Sequence, residues 1–290
     1  MPDQKISELT ELISAHPTSD VVPVVDTSVN QTKKITLANL PITESAVNFS
    51  YPYTVHFDGG VSQTRNLTTI SASDFLNTVT SVYIGKNATS IGSSVFSSAS
   101  NLTSVIIGNR VTSIGTSAFS ACTSLTSITI PDSVTSIGNG AFKDCSALTS
   151  IVIPDDVTSI ADETFFFCTG LTSAIIGDSV TEIGALAFSR CDSLSSITIP
   201  NSVTKITFLA FSSCSSLTSV TIGDGVTSIG NQSFKNCTSL ATINLSATTR
   251  PNLGDNAFDN VASNATIHVP AGADYPTIFG GLPVSFDLTS

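Results

Sequence analysis

The sequence predicts a mainly β solenoid of 23-residue coils, and three observations carry that prediction. Leu recurs at Leu102, Leu125, Leu148, Leu171, Leu194, Leu217 and Leu240, a spacing of 23 each time. Phe runs in step (Phe96, Phe119, Phe142, Phe165, Phe188, Phe211, Phe234), as does Ile from Ile91 to Ile229. The six cysteines, Cys122, Cys145, Cys168, Cys191, Cys214 and Cys237, occupy one further column of the same period. Apolar residues make up 41% of the chain, enough for a core, whereas charged residues make up 11%, about half the usual share.

Each part of the coil has a local reason. Leu125, Ile128 and Ile130 form the L-x-x-L-x-L pattern of a leucine-rich repeat strand, and the period lies in that class's range. Ile128 and Ile130 alternate with Thr129, as a strand requires. Pro131, or Gly108 in its place, followed by Asp, Asn or Ser, ends the strand in a turn. Val134 and Ile137 read as a second short extended piece, and Gly138 permits a bend. Ala141, Phe142 and Cys145 predict a short helical or 3₁₀ turn that closes the coil. One coil cannot bury its own apolar side, so coils must stack on a shared core. A degenerate unit (Val79, Val82, Ile84) precedes the regular ones, and a unit slipped by one residue (Phe258) follows.

The phrases LTSITIPDSVTSIGNGAFKDC (residues 125–145) and LTSVTIGDGVTSIGNQSFKNC (217–237) resemble the bacterial surface antigen A type of leucine-rich repeat, BspA-like, also called the Treponema pallidum type. The resemblance spans roughly residues 79–270, and ATIHVPAGADY (265–275) resembles the terminal strand and cap of that family. It implies a leucine-rich-repeat solenoid with terminal caps and, from the family's known members, adhesion and host interaction.

The cysteines read as buried, unbridged apolar fillers, because they lie one coil apart with parallel side chains. Unbridged thiols also favour folding in a reducing compartment. No histidine shares their column, and His16, His56 and His268 sit in no nucleophile or metal motif. Asp162 and Glu163 are adjacent but lack an evident cleft of the kind that paired-carboxylate hydrolysis needs. The expectation is therefore no enzyme, no cofactor and no bound metal. An acidic column, Asp132, Asp155, Asp178 and Asp224 with Asn109 and Asn201, supplies one carboxylate per coil, too few oxygens for calcium. Its side chains are expected to bond to their own turn backbone.

Residues 1–50 do not repeat. DQKISELTELI (3–13) places Ile6, Leu9, Leu12 and Ile13 on one face of a short amphipathic helix with Asp3 as cap. With DVVPVVD (20–26) and TKKITLANL (32–40), this segment resembles the N-terminal virion-attachment module of tailed-phage fibre and appendage proteins. So short a helix is marginal alone, so Ile6, Leu9, Leu12 and Ile13 are expected to meet other virion proteins or copies of the chain, as in a homotrimer. Met1–His16 lacks the basic start and apolar stretch of a secretory signal. No segment has the ~20 apolar residues of a membrane span, so no membrane insertion is expected. The domain reading is 1–50 attachment or oligomerisation segment, 51–78 N-terminal cap, 79–258 solenoid and 259–290 C-terminal cap.

A formal net charge of −11 argues against nucleic acid, whose phosphates need clustered cations. Two candidate surfaces remain. The outward strand face carries Ser127, Thr129, Ser150, Ser173, Ser196, Thr198, Ser219 and Thr221, a flat hydroxyl-rich sheet for a host protein or glycan. At the bend, Phe166, Phe167, Leu186, Phe208 and Leu209 replace the usual polar residues and form a candidate apolar interface. The expected function is a non-enzymatic virion protein, assembled in the host cytoplasm and displaying its solenoid for host recognition or adhesion. The alternatives are a capsid decoration protein with no receptor, or an adhesin at the bacterial surface.

Overall fold

The computed structural model describes residues 79–84 and 88–288, together with the backbone of four earlier strands, Pro23–Asp26, Gln31–Lys34, Tyr53–Phe57 and Ser62–Arg65. The helix expected over residues 3–13, with Ile6, Leu9, Leu12 and Ile13, lies outside the described residues. Pro23–Asp26 and Gln31–Lys34 pair as an antiparallel hairpin.

The described coils stack in parallel with the register the period requires. Ser196–Ile199 pairs with Ser219–Ile222, placing Ser196 against Ser219 and Thr198 against Thr221. That strand pairs in turn with Thr242–Leu245. A second ribbon runs through two-residue strands, Ile160 beside Ile183, Ile206 and Ile229. The slipped unit is absorbed between Leu245 and Asn252, because Leu245 still pairs with Ile222 whereas Asn252 pairs with Ser228.

The bend corrects one expectation: among the described residues it contains no helix. Two residues four apart in each bend have a left-handed backbone, such as Ser117 (φ 54°) with Ala121 (φ 59°), or Glu163 (φ 57°) with Phe167 (φ 61°). Alternation of hand aims every second N–H at the next coil. Ser117 N donates to Asn139 O at 2.9 Å, Phe119 N to Ala141 O at 2.8 Å and Ala121 N to Lys143 O at 2.7 Å. The N–H groups between them bond within the turn, Ala118 to Gly115 O and Cys122 to Phe119 O. A helix would direct all its donors along its own axis and leave neighbouring coils unjoined here. The bend thus supplies a third ladder.

The core is the sum of the columns. The eight rings from Phe96 to Phe258 stack with centroids 5.1–5.6 Å apart and planes within 3–18° of parallel. The Leu column is fully buried, as are Val111, Val134, Val157, Val180 and Val203. Threonine explains how so few charges suffice. Two exposed Thr files donate their hydroxyls to the carbonyl of the equivalent residue one coil back. Thr103 reaches Thr80 O at 2.9 Å and Thr172 reaches Thr149 O at 2.9 Å; in the other file Thr181 reaches Thr158 O at 3.0 Å.

Both ends of the main ribbon finish in antiparallel pairs. Tyr53–Phe57 lies antiparallel to Val79–Ile84 and to Ser62–Arg65. Leu282–Leu288 is parallel to Thr266–Pro270 and antiparallel to Ile278–Phe279. Such ends shorten the unpaired edge that a parallel stack would otherwise present.

Candidate binding surfaces

The groups that usually carry chemistry are tied up in the stack. All six cysteines are free and buried. Each thiol donates to the main-chain carbonyl of a Phe in the preceding coil: Cys145 Sγ to Phe119 O at 3.1 Å, Cys214 Sγ to Phe188 O at 3.1 Å. Burial pushes the Cys122 thiol up to about 12, and raises Cys145, Cys168, Cys191 and Cys214 well above the ordinary thiol range. A thiol held protonated is neither nucleophile nor metal ligand. Among the described residues, no group of three or more His, Cys, Asp or Glu side chains could hold a metal ion. His56 lies in the strand Tyr53–Phe57. His268 Nδ1 meets Asp287 Oδ1 at 2.8 Å near the C-terminal cap, and that contact is the main cause holding the exposed Asp287 carboxyl below its ordinary value.

The acidic column corrects a second expectation. Two of its side chains reach the next coil, not their own turn: Asp178 N donates to Asp155 Oδ1 at 3.1 Å, and Asp224 N to Asn201 Oδ1 at 3.2 Å. Stacking places an acceptor over the N–H of the equivalent residue, so these residues join coils as the threonines do.

The strand face gathers Ser127, Thr129, Ser150, Ser173, Ser196 and Thr198 as exposed side chains, with Ser219 and Thr221 half-buried. It is less polar than its hydroxyls alone suggest. Beside Thr129 and Thr198 in the same outward file stand Ile106, Val152 and Ile175, exposed by 57%, 55% and 59%. Toward the C-terminus the file becomes polar: Asn244 Nδ2 donates to Thr221 Oγ1 at 3.3 Å, and Asn244 pairs with His268. Exposed Asp132, Asp155, Asp156 and Asp178 follow the strand ends as an acidic border.

The bend flank is brought together only in part. Phe166 and Phe167 are half-buried and meet edge to face at 4.7 Å. Lys143 Nζ lies 5.1 Å from the Phe166 ring and the Arg190 guanidinium 4.8 Å from that of Phe167, so cations cover both rings. Lys143 also pairs with Glu163 at 2.7 Å. Leu186 and Leu209 hold equivalent places in adjacent coils and are half-buried, whereas Phe208 is 48% exposed. Sequence reasoning missed that Phe167, Leu186 and Leu209 are left-handed, with φ of 61°, 58° and 55°. A signal was available, since the same two files hold Gly140, Asp144, Asn236, Asn256 and Asn260, the types that tolerate this conformation.

Comparison with known proteins agrees with this geometry. A family model described as "BspA type Leucine rich repeat region (6 copies)" matches residues 60–172 and 158–275. A leucine-rich repeat protein from Bacteroides ovatus is 24% identical, with a TM-score of 0.56 over 87% of this chain and 70% of its own. The leucine-rich repeat protein of Treponema pallidum is 26% identical, with a TM-score of 0.51 over 72% of this chain and 91% of its own. No curated protein matches the chain.

Proposed function

Because the chain belongs to the BspA-type leucine-rich repeat family, we propose that it is a non-enzymatic display protein of a tailed-phage particle. Residues 1–50 attach it to other virion proteins, and the solenoid holds its strand face outward for host recognition or adhesion, between caps at 51–78 and 259–290. The flank of Phe166, Phe167, Leu186, Phe208 and Leu209 serves self-association, for which a trimer suits a particle appendage. One observation carries the binding role. The repeat turns Ser127, Thr129, Ser150, Ser173, Ser196 and Thr198 onto one exposed face together with Ile106, Val152 and Ile175, and exposed aliphatics among hydroxyls suit a partner surface. The virion role is supported by the likeness of residues 3–40 to phage attachment modules.

A second reading, an adhesin of a bacterial surface, is supported by the bacterial family itself and by the likeness to the Treponema pallidum protein. Immunogold labelling and peptide mass spectrometry of purified particles, beside fractionated host cells, decide between them. The chain is expected on the particle. Its presence on the cell envelope and absence from particles would replace the virion reading with the adhesin.

A further inference from the structure

The pairing of the main ribbon breaks twice, between Ser127–Ile128 and Ser150–Val152 and again beyond Ser173–Ile175. Ser150–Val152 pairs with Ser173–Ile175, and the next ladder begins at Ser196–Ile199, with no pairing between Ser173–Ile175 and Ser196–Ile199. At the first break the inward file is complete, with Ile128 and Ile151 buried; at the second it is not. Val105, Ile128, Ile151, Ile197, Val220 and Ile243 fill that file and are buried, but the place between Ile151 and Ile197 belongs to Ala174. Ala174 is too short to fill its place and is itself partly exposed. What remains is a slot of about 280 Å³, open to the strand face.

The lining of the slot selects a chemistry. Ala174, Ile176 and Ile197 give apolar walls, the Ser196 and Thr198 hydroxyls stand at the mouth, and Asp178 supplies one carboxylate. No cation lines it. Asp132, Asp155 and Asp156 stand exposed in the two preceding coils, and neither they nor Asp178 form any of the ion pairs among the described residues. The backbone edges facing the slot also lack ladder partners, so they present polar groups to a guest. Apolar walls beside one unpaired carboxylate fit a long aliphatic stem with a cationic head. The flanking Val152 and Ile175 want aliphatic neighbours, and the carboxylates repel phosphates and anionic lipid.

We propose that this slot receives a lysine or arginine side chain from a basic polypeptide partner. The stem lies against Ala174 and Ile197, the head meets Asp178, and adjoining residues cover Val152 and Ile175. This deepens the reading of the strand face as the binding face and rests on it.

Fluorescence anisotropy of labelled hexa-arginine with the full chain tests the slot. The wild type is expected to bind, more weakly as salt rises. Ala174→Ile, which refills the file, is expected to melt no lower than wild type yet bind at least about tenfold more weakly, and Asp178→Asn is expected to weaken binding similarly. Undiminished binding by Ala174→Ile would reduce the effect to general attraction by an acidic chain and overturn the proposal, as would no binding by wild type. Spermine binding with the same affinity and the same loss in Ala174→Ile would make this a small-polyamine site and remove the polypeptide. Host-cell binding separates the two claims. Binding that survives Ala174→Ile but fails in Thr129→Glu keeps the face and removes the slot, whereas binding that survives both removes the face.

Discussion

Cys168 donates its thiol to the main-chain carbonyl of Phe142, one coil back, at 3.1 Å. The Cys column is therefore a line of inter-coil hydrogen bonds as well as a filler, which accounts for cysteine where alanine or valine would also fit the volume. Cys168→Val keeps bulk and removes the donor, and is expected to cost about 1 kcal/mol in urea unfolding. A neutral result would show that the column serves packing alone.

The same burial sets a pH dependence. Below about pH 8.5 the five raised thiols are protonated in both the folded and the unfolded chain, and they leave stability flat. Above it the unfolded chain loses thiol protons first, because burial raises five folded thiols, Cys122 to about 12 and Cys145, Cys168, Cys191 and Cys214 well above the ordinary range. Stability therefore falls with rising pH, by about 1.4 kcal/mol per unit for each of these five thiols. Chemical denaturation at pH 8, 9 and 10 reads the slope, and a thiol reagent should find no reactive cysteine until the chain unfolds. A flat alkaline profile would contradict the burial of the column.

Left-handed residues in the bend make opposite predictions for two substitutions at one site. Asp144 has φ 59°, so Asp144→Gly is expected to be neutral or stabilising by up to about 1 kcal/mol. Asp144→Val puts a β-branched residue into that conformation and should cost about 2 kcal/mol. Equal effects in thermal melts would mean that the backbone there does not discriminate.

Much of this was legible in the sequence, and the misses have physical reasons. The Leu, Phe, Ile and Cys columns specify period, register and core, because stacked coils put identical positions on top of one another. The bend misled because Phe142 and Cys145, three apart and both buried, satisfy a helical period as well as they satisfy alternating turns. Backbone hand decides between those, and Gly140 beside Asp144 was its trace. The threonine and aspartate ladders escaped notice because their partners are backbone carbonyls and N–H groups in a neighbouring coil. Such partners leave no pattern beyond the repeat itself. The slot depends on one small residue, Ala174, in a file of Ile and Val.

The threonine ladders can be counted. Thr181→Val removes one exposed hydroxyl bond to Thr158 O while keeping the shape, and should cost about 0.5–1.5 kcal/mol. Thr103→Val, several coils away, should add to it almost fully, since distant sites in a repeat stack are independent. Stabilisation in both would show that apolar surface outweighs the bonds.

Phe208 tests the flank. Half exposed in the single chain, it should tolerate Ser with little change in melting temperature, and the variant should show a lower mass by light scattering. An unchanged mass with a lower melting temperature would assign Phe208 to the core and end the interface proposal.

Excising one whole coil tests the central claim that identical turns share one core. Removal of residues 148–170 brings Leu171 to the place of Leu148 and restores every column. The shortened chain should fold with the same circular dichroism shape, melt cooperatively, and scatter as a rod shorter by about 4.8 Å. Removal of 148–167 breaks the register and should give an unfolded or aggregated product. A 23-residue excision that fails to fold, or a 20-residue excision that folds equally well, would contradict the stacked-coil account.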